Sequence, residues 1–108
     1  MENLNVNEWS EQVLKDENAI ILDVRTSDEY AEGAIPNAIN IDVKQPQLFL
    51  DKVNELDKTQ NFYVYCQSGA RSSEACAVLN LMCAITSIYN LNGGFSVWNG
   101  DVVTLSNY

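Results

Sequence analysis

The sequence predicts an α/β fold built on a mainly parallel sheet, and three observations carry that expectation. Apolar runs of strand length alternate with segments whose apolar residues fall at helical spacing. The run Ala19-Ile20-Ile21-Leu22-Asp23-Val24 is almost continuously apolar, the pattern of a strand covered on both faces. The stretch Phe62 to Ser73 reads as strand, loop and helix start in succession. Such alternation implies β-α-β units with right-handed crossovers.

Each element follows in order. Leu4-Asn5-Val6 alternates like a short edge strand, and Asn7 is placed to cap a helix carrying Trp9, Val13 and Leu14 and ending near Lys15. After the Ala19–Val24 strand, Thr26 to Gly33 is polar and turn-like, with Asp28-Glu29-Tyr30 as one helical turn. Ile35-Pro36-Asn37 is a second turn, and Ala38-Ile39-Asn40-Ile41 a short strand. Leu48, Phe49, Val53 and Leu56 give a helical spacing over 47–56. Phe62 to Tyr65 favours strand, because aromatic and branched side chains suit a pleated surface.

A helix follows from Ser72 to about Ala84, capped by Ser72 or Ser73. Its apolar stripe is Ala75, Val78, Leu79 and Met82, with Cys76 and Cys83 beside it. Ile88 and Leu91 mark a last strand, Asn92-Gly93-Gly94 breaks it, and Phe95 to Trp98 begins a short helix. Beyond Arg71 only Glu74 and Asp101 are charged, which predicts that the Ser72 helix and the last strand are the most buried elements. The 108 residues suffice for one domain, 1–108, with its own core, and 46% apolar against 19% charged residues argues against disorder.

Charge and residue counts exclude several classes. Six Lys+Arg against 15 Asp+Glu give a net charge of −9, which disfavours nucleic acid and anionic membrane as partners. The chain has no histidine, so Cys–His and Ser–His nucleophile pairs and His-ligated metals are absent. Cys66, Cys76 and Cys83 lack C-x-x-C spacing, so no metal site is expected. No basic leader and no apolar run of ~18 residues stand in the sequence, and free thiols suit the cytoplasm.

The chemistry-bearing stretch is Cys66-Gln67-Ser68-Gly69-Ala70-Arg71-Ser72. A cysteine in a loop feeding a helix N-terminus meets converging N–H groups and the positive end of the helix dipole, which favour thiolate. Gly69 lets the loop curl. Arg71 either attracts an anionic reactant or turns back onto an acid such as Asp23 or Glu29. Asp23 and Arg25, at the end of their strand, read as scaffold. Cys76, Cys83 and Trp98 read as core, and Gly93 and Gly94 as backbone geometry.

Three stretches in order resemble the rhodanese-like domains. They are Ile21-Leu22-Asp23-Val24-Arg25 with Glu29-Tyr30 and Gly33 to Asn40, the Cys66–Ser72 loop, and Leu91-Asn92-Gly93-Gly94-Phe95 with Trp98. The resemblance runs from about residue 4 to residue 100. Ala34 and Asn37 depart from it, standing where the family usually has His and Gly. It implies a central, mainly parallel five-stranded sheet flanked by helices on both faces, and a sulfurtransferase cycle without a cofactor. Cys66 would take the outer sulfur of thiosulfate or a persulfide and pass it to cyanide, a thiol or a protein cysteine. The N–H groups of Gln67, Ser68, Gly69, Ala70, Arg71 and Ser72 would stabilise thiolate and persulfide, with the Gln67 and Ser68 side chains adding hydrogen bonds.

Two other readings stand beside this one. A non-catalytic, regulatory module that binds a protein partner is disfavoured by the intact cysteine loop. A cysteine phosphatase or arsenate reductase would need the larger C-x5-R ring, whereas Cys66 to Arg71 is C-x4-R. With one loop cation in an acidic protein, free thiosulfate is expected to be a weaker donor than a neutral or protein-bound persulfide.

Overall fold

The computed structural model describes residues 1–105, so the end of the 1–108 span lies outside the described residues. Five strands form one sheet: β1 (Glu2–Leu4), β2 (Ala19–Asp23), β3 (Ile39–Asn40), β4 (Asn61–Tyr65) and β5 (Ile88–Leu91). All neighbours pair in parallel, in the order β1-β5-β4-β2-β3. β4 lies at the centre, in register with β2 from Ala19 against Asn61 to Asp23 against Tyr65. Four α-helices intervene: α1 (Val6–Lys15), α2 (Ser27–Glu32), α3 (Pro46–Val53) and α4 (Ala70–Cys83). A 3-10 helix covers Gly94–Val97.

The period-2 alternation of β4 divides the core. Phe62, Val64 and Cys66 join Phe49, Val53, Ala75, Cys76 and Leu79 on the side of α3 and α4. Tyr63 and Tyr65 point the other way, onto Trp9 of α1 and Leu91. Trp9 sits edge-on to Tyr63, Tyr65 and Trp98, with centroids 5.8, 6.3 and 5.8 Å away. From β2 the chain moves outward to β3, and from β4 it moves the opposite way to β5. The carboxyl ends of β2 and β4 therefore flank a topological switch point, where open α/β sheets hold their ligands.

Several elements differ from the sequence expectation. β1 begins two residues early, because Glu2 to Leu4 pair with Tyr89 to Leu91. The cap of α1 is then Asn5 rather than Asn7: Asn5 Oδ1 accepts from the Glu8 N–H at 2.9 Å, and a capping box closes. The turn at Asp28-Glu29-Tyr30 is extended into α2 by a second capping box between Thr26 and Glu29. In the Ile35-Pro36-Asn37 turn, Asn37 has φ 69°, a left-handed conformation that Asn tolerates in place of Gly.

The start of α4 is a correction. Its cap is Gly69; Ser72 and Ser73 lie within the helix and donate their hydroxyls back to the Gly69 carbonyl at 3.1 and 2.9 Å. Nor is α4 among the most buried elements. Its inner stripe is Ser72, Ala75, Cys76, Leu79 and Cys83, while Leu81 and Met82 are 81% and 66% exposed. The low charge after Arg71 reflects uncharged polar and apolar residues on an open face, not burial. Burial of the last strand holds, with Ile88, Asn90 and Leu91 covered, but Phe62 to Tyr65 of β4 are fully covered as well.

Candidate functional site

The site grows from the end of β4. The Val24 N–H donates to the Tyr65 carbonyl at 3.1 Å, the last link between the two strands here, and Cys66 is the next residue. Gly69, at φ 113°, turns the chain back so that its own N–H donates to Cys66 Sγ at 3.0 Å. Cys66 Sγ lies 3.4 Å from Ser72 Oγ. Burial pushes the Cys66 thiol up, but the Ser72 hydroxyl and the N–H groups of Ser72, Gly69 and Ser68 outweigh it. The net result is a thiol held below its ordinary value. Cys76 is the contrast: buried without such donors, its thiol is pushed up to about 12.

The 3-10 helix orients these amides. Its Phe95 N–H donates to the Cys66 carbonyl at 2.8 Å, and the Ser96 N–H to the Gln67 carbonyl at 3.0 Å. A planar trans peptide puts the next N–H opposite its carbonyl. Holding the Gln67 carbonyl on Ser96 therefore turns the Ser68 N–H toward the sulfur. Gly94 permits this approach: a Cβ there would lie 2.5 Å from the Cys66 carbonyl oxygen, and its φ is +64°. Sequence reading assigned Gly94 to backbone geometry but missed what it touches; the Gly93-Gly94 doublet was the only local signal.

A buried ion pair forms the floor on the β2 side. Arg25 Nε donates to Asp23 Oδ1 at 3.0 Å and Nη2 to Oδ2 at 2.7 Å. Nη2 also reaches the Gly33 carbonyl at 2.7 Å, and Nη1 reaches Gln67 Oε1 at 3.2 Å. The guanidinium lies 4.5 Å from the Phe95 ring centroid. Tyr65 donates its hydroxyl to Asp23 Oδ2 at 2.7 Å, and burial together with Asp23 keeps that phenol far above its usual range. Asp23 and Arg25 thus shape the loop through Gln67 and Phe95. The Gln67 side-chain oxygen accepts from Arg25, which anchors this side chain to the ion pair.

Of the two arrangements open to Arg71, the structure has the internal one. Nη1 and Nη2 donate to Glu29 Oε1 and Oε2 at 2.7 and 2.9 Å, with Arg71 22% and Glu29 31% exposed. Arg71 first, and then Thr26, hold the Glu29 carboxyl down to about 2 against the opposing effect of burial. Ala70 is the first residue of α4 and brings its backbone alone to the site.

Cys66 is 1% exposed, so its sulfur sits at the floor of the loop. Beside the loop, Arg25, Glu29, Glu32, Gly33, Gln67 and Phe95 line an open cleft of about 360 Å³. A larger cavity, about 580 Å³, lies between α1, the Ile35–Asn37 turn and Trp98–Asp101, and includes no loop residue. Among the described residues no group of three His, Cys, Asp or Glu side chains is arranged to hold a metal ion. Among them too, no helix is long and apolar enough to cross a membrane.

Fold and site together define a class: a parallel α/β domain whose loop after the central strand folds back over one cysteine, with the Gly69 N–H on its sulfur. Residues 6–101 match the rhodanese-like domain model. A protein of Allochromatium vinosum named sulfurtransferase is 34% identical over 89 residues, 82% of this chain and 79% of that one. The putative sulfurtransferase YtwF of Bacillus subtilis is 34% identical over 91 residues, 84% of each chain. The crystal structure of a rhodanese-like domain protein from Staphylococcus aureus superposes with a TM-score of 0.77 at 28% identity, covering 96% of this chain and 98% of that one. The chain belongs to the rhodanese-like domain family, and its similarity to these relatives supports a rhodanese-type sulfurtransferase.

Proposed function

We propose that the protein moves sulfane sulfur through a persulfide on Cys66. The Cys66 thiolate attacks the outer sulfur of a donor, thiosulfate or a persulfide. The donor's S–S bond breaks and its electron pair leaves on sulfite or on a thiolate. A thiolate, cyanide or a protein cysteine then attacks the outer sulfur of the Cys66 persulfide and releases the Cys66 thiolate. Both steps are displacements at sulfur with no net redox change, and an ionised thiol needs no general base. The reading is carried by one observation: Cys66 Sγ accepts from the Gly69 N–H at 3.0 Å and lies 3.4 Å from the Ser72 hydroxyl, donors that favour the thiolate.

The N–H groups of Ser68, Gly69 and Ser72 serve the inner sulfur. Those of Ala70 and Arg71, in the unpaired first turn of α4, are left for the outer one. With the sulfur 1% exposed, the loop admits a slim terminal sulfur or opens to receive it. The three cysteines are free, which suits a reducing compartment such as the cytoplasm. The test is intact mass after incubation with thiosulfate or a persulfide. A gain of one sulfur atom, removed by cyanide and absent in Cys66→Ala, is expected; no gain with any donor, or a gain that survives Cys66→Ala, refutes the reading.

A further inference from the structure

The cleft beside Cys66 is bordered by two cations, and both are engaged. Arg25 spends Nε and Nη2 on Asp23, Nη2 again on the Gly33 carbonyl and Nη1 on Gln67, with its face against Phe95. Arg71 spends both terminal nitrogens on Glu29. Glu29 is itself fixed by the N–H and hydroxyl of Thr26, at 3.1 Å each, so it does not swing away at little cost. Glu32 adds a second carboxylate to the cleft lining, and Asp42 acts on Arg71 from further off. The mouth of the site thus offers acidic groups and, among the described residues lining it, no uncommitted cation.

We infer that Glu29 determines the class of donor: by holding Arg71 it turns the site toward persulfides whose neighbouring group is neutral or cationic, and away from dianions such as thiosulfate. The inference rests on the transferase reading and deepens it. A dianion would have to displace Glu29 from Arg71, losing a bidentate charge-assisted pair, while the freed carboxylate repelled it at close range. A protonated persulfide R–S–SH meets neither obstacle. Cys66 thiolate attacks its outer sulfur, the S–S bond breaks, R–S⁻ departs with the electron pair, and Cys66–S–SH retains the proton. Thiosulfate loads the same sulfur with sulfite as leaving group, so the two donors differ only in what the mouth must accommodate.

The experiment compares rates of Cys66 loading, read by rapid quench and intact mass, for thiosulfate and for 2-hydroxyethyl persulfide at equal concentration. The persulfide is expected to load the protein at least about ten-fold faster. Glu29→Gln removes the charge but can keep the bonds to Thr26 and one to Arg71, and should shift the donor ratio about ten-fold toward thiosulfate. Glu55→Gln removes the same charge from an exposed position between α3 and β4 and should leave the ratio unchanged. Faster loading by thiosulfate, an unmoved ratio in Glu29→Gln, or an equal shift in Glu55→Gln overturns the inference while leaving the transferase standing. Absence of loading by either donor overturns the transferase reading and this one with it.

Discussion

The Ser72 hydroxyl carries one proton and lies between two acceptors. With Cys66 as a thiol, the sulfur donates to Ser72 Oγ at 3.4 Å and Ser72 donates to the Gly69 carbonyl at 3.1 Å. Ionisation reverses the need, since a thiolate only accepts. Ser72 can turn to the sulfur because the Gly69 carbonyl keeps two other donors, the Ser73 N–H at 3.1 Å and Ser73 Oγ at 2.9 Å. Rotation therefore leaves no buried acceptor unpaired. Ser72→Ala should raise the Cys66 thiol toward its ordinary value and slow sulfur loading at neutral pH roughly ten-fold, the worth of one hydrogen bond to a charged group. The pH profile of iodoacetamide alkylation at Cys66 checks this: the midpoint should move up in Ser72→Ala and return in Ser72→Thr. An unmoved midpoint would remove Ser72 from the account. Cys66, Gly69 and Ser72 were legible in the sequence because they lie within one loop and one helical turn. Ser72 was misread as a cap because a donor to sulfur and a helix cap look alike without coordinates.

At the scale of elements, the loop is a product of its neighbours. The 3-10 helix at Gly94–Val97 holds the Cys66 and Gln67 carbonyls, and α2 holds Arg71 through Glu29. These contacts join residues 29 and 42 positions apart in sequence, which is why spacing could not reveal them, whereas strands and helices with local periodicity were readable. Gly94→Ala would drive a methyl group into the Cys66 carbonyl at φ +64°. It should cost about 2 kcal/mol or more by urea unfolding and shift Cys66 alkylation toward higher pH, because the Ser68 N–H loses its aim. Normal stability with a normal alkylation profile would contradict the clamp. The α2 contact has its own pH signature. The folded-state value of Glu29, about 2, lies below its ordinary 4.5, so its contribution to stability is complete above pH 4.5 and fades as pH falls toward 2. The stability difference between wild type and Glu29→Gln should shrink across that window; a difference that grows on acidification would reverse the sign assigned here.

Across the whole molecule, the parallel sheet order brings the ends of β2 and β4 together, so that Asp23 and Tyr65 meet although 42 positions separate them, and Cys66 follows directly. Fold class followed from the near-continuous apolar run at Ala19–Val24 and the alternation of strands with helices, a pattern that depends on burial and survives without knowledge of partners, whereas the central place of β4 comes from the strand order. The surface field is equally a property of the whole chain, and the net charge of −9 acts on any charged reactant before it reaches the cleft. Long-range repulsion is screened over about 8 Å at physiological ionic strength, whereas the Glu29–Arg71 contact is short and partly buried. The two effects can therefore be separated by salt. Raising ionic strength should increase the thiosulfate loading rate by a few-fold as repulsion of the dianion is screened, and should leave a neutral persulfide unaffected. The local effect of Glu29 should persist, so that the ratio between wild type and Glu29→Gln for thiosulfate changes little with salt. If added salt instead slows thiosulfate, the field at the mouth is attractive to anions despite the net charge, and the cleft would have to hold a cation that its Arg25 and Arg71 contacts do not supply.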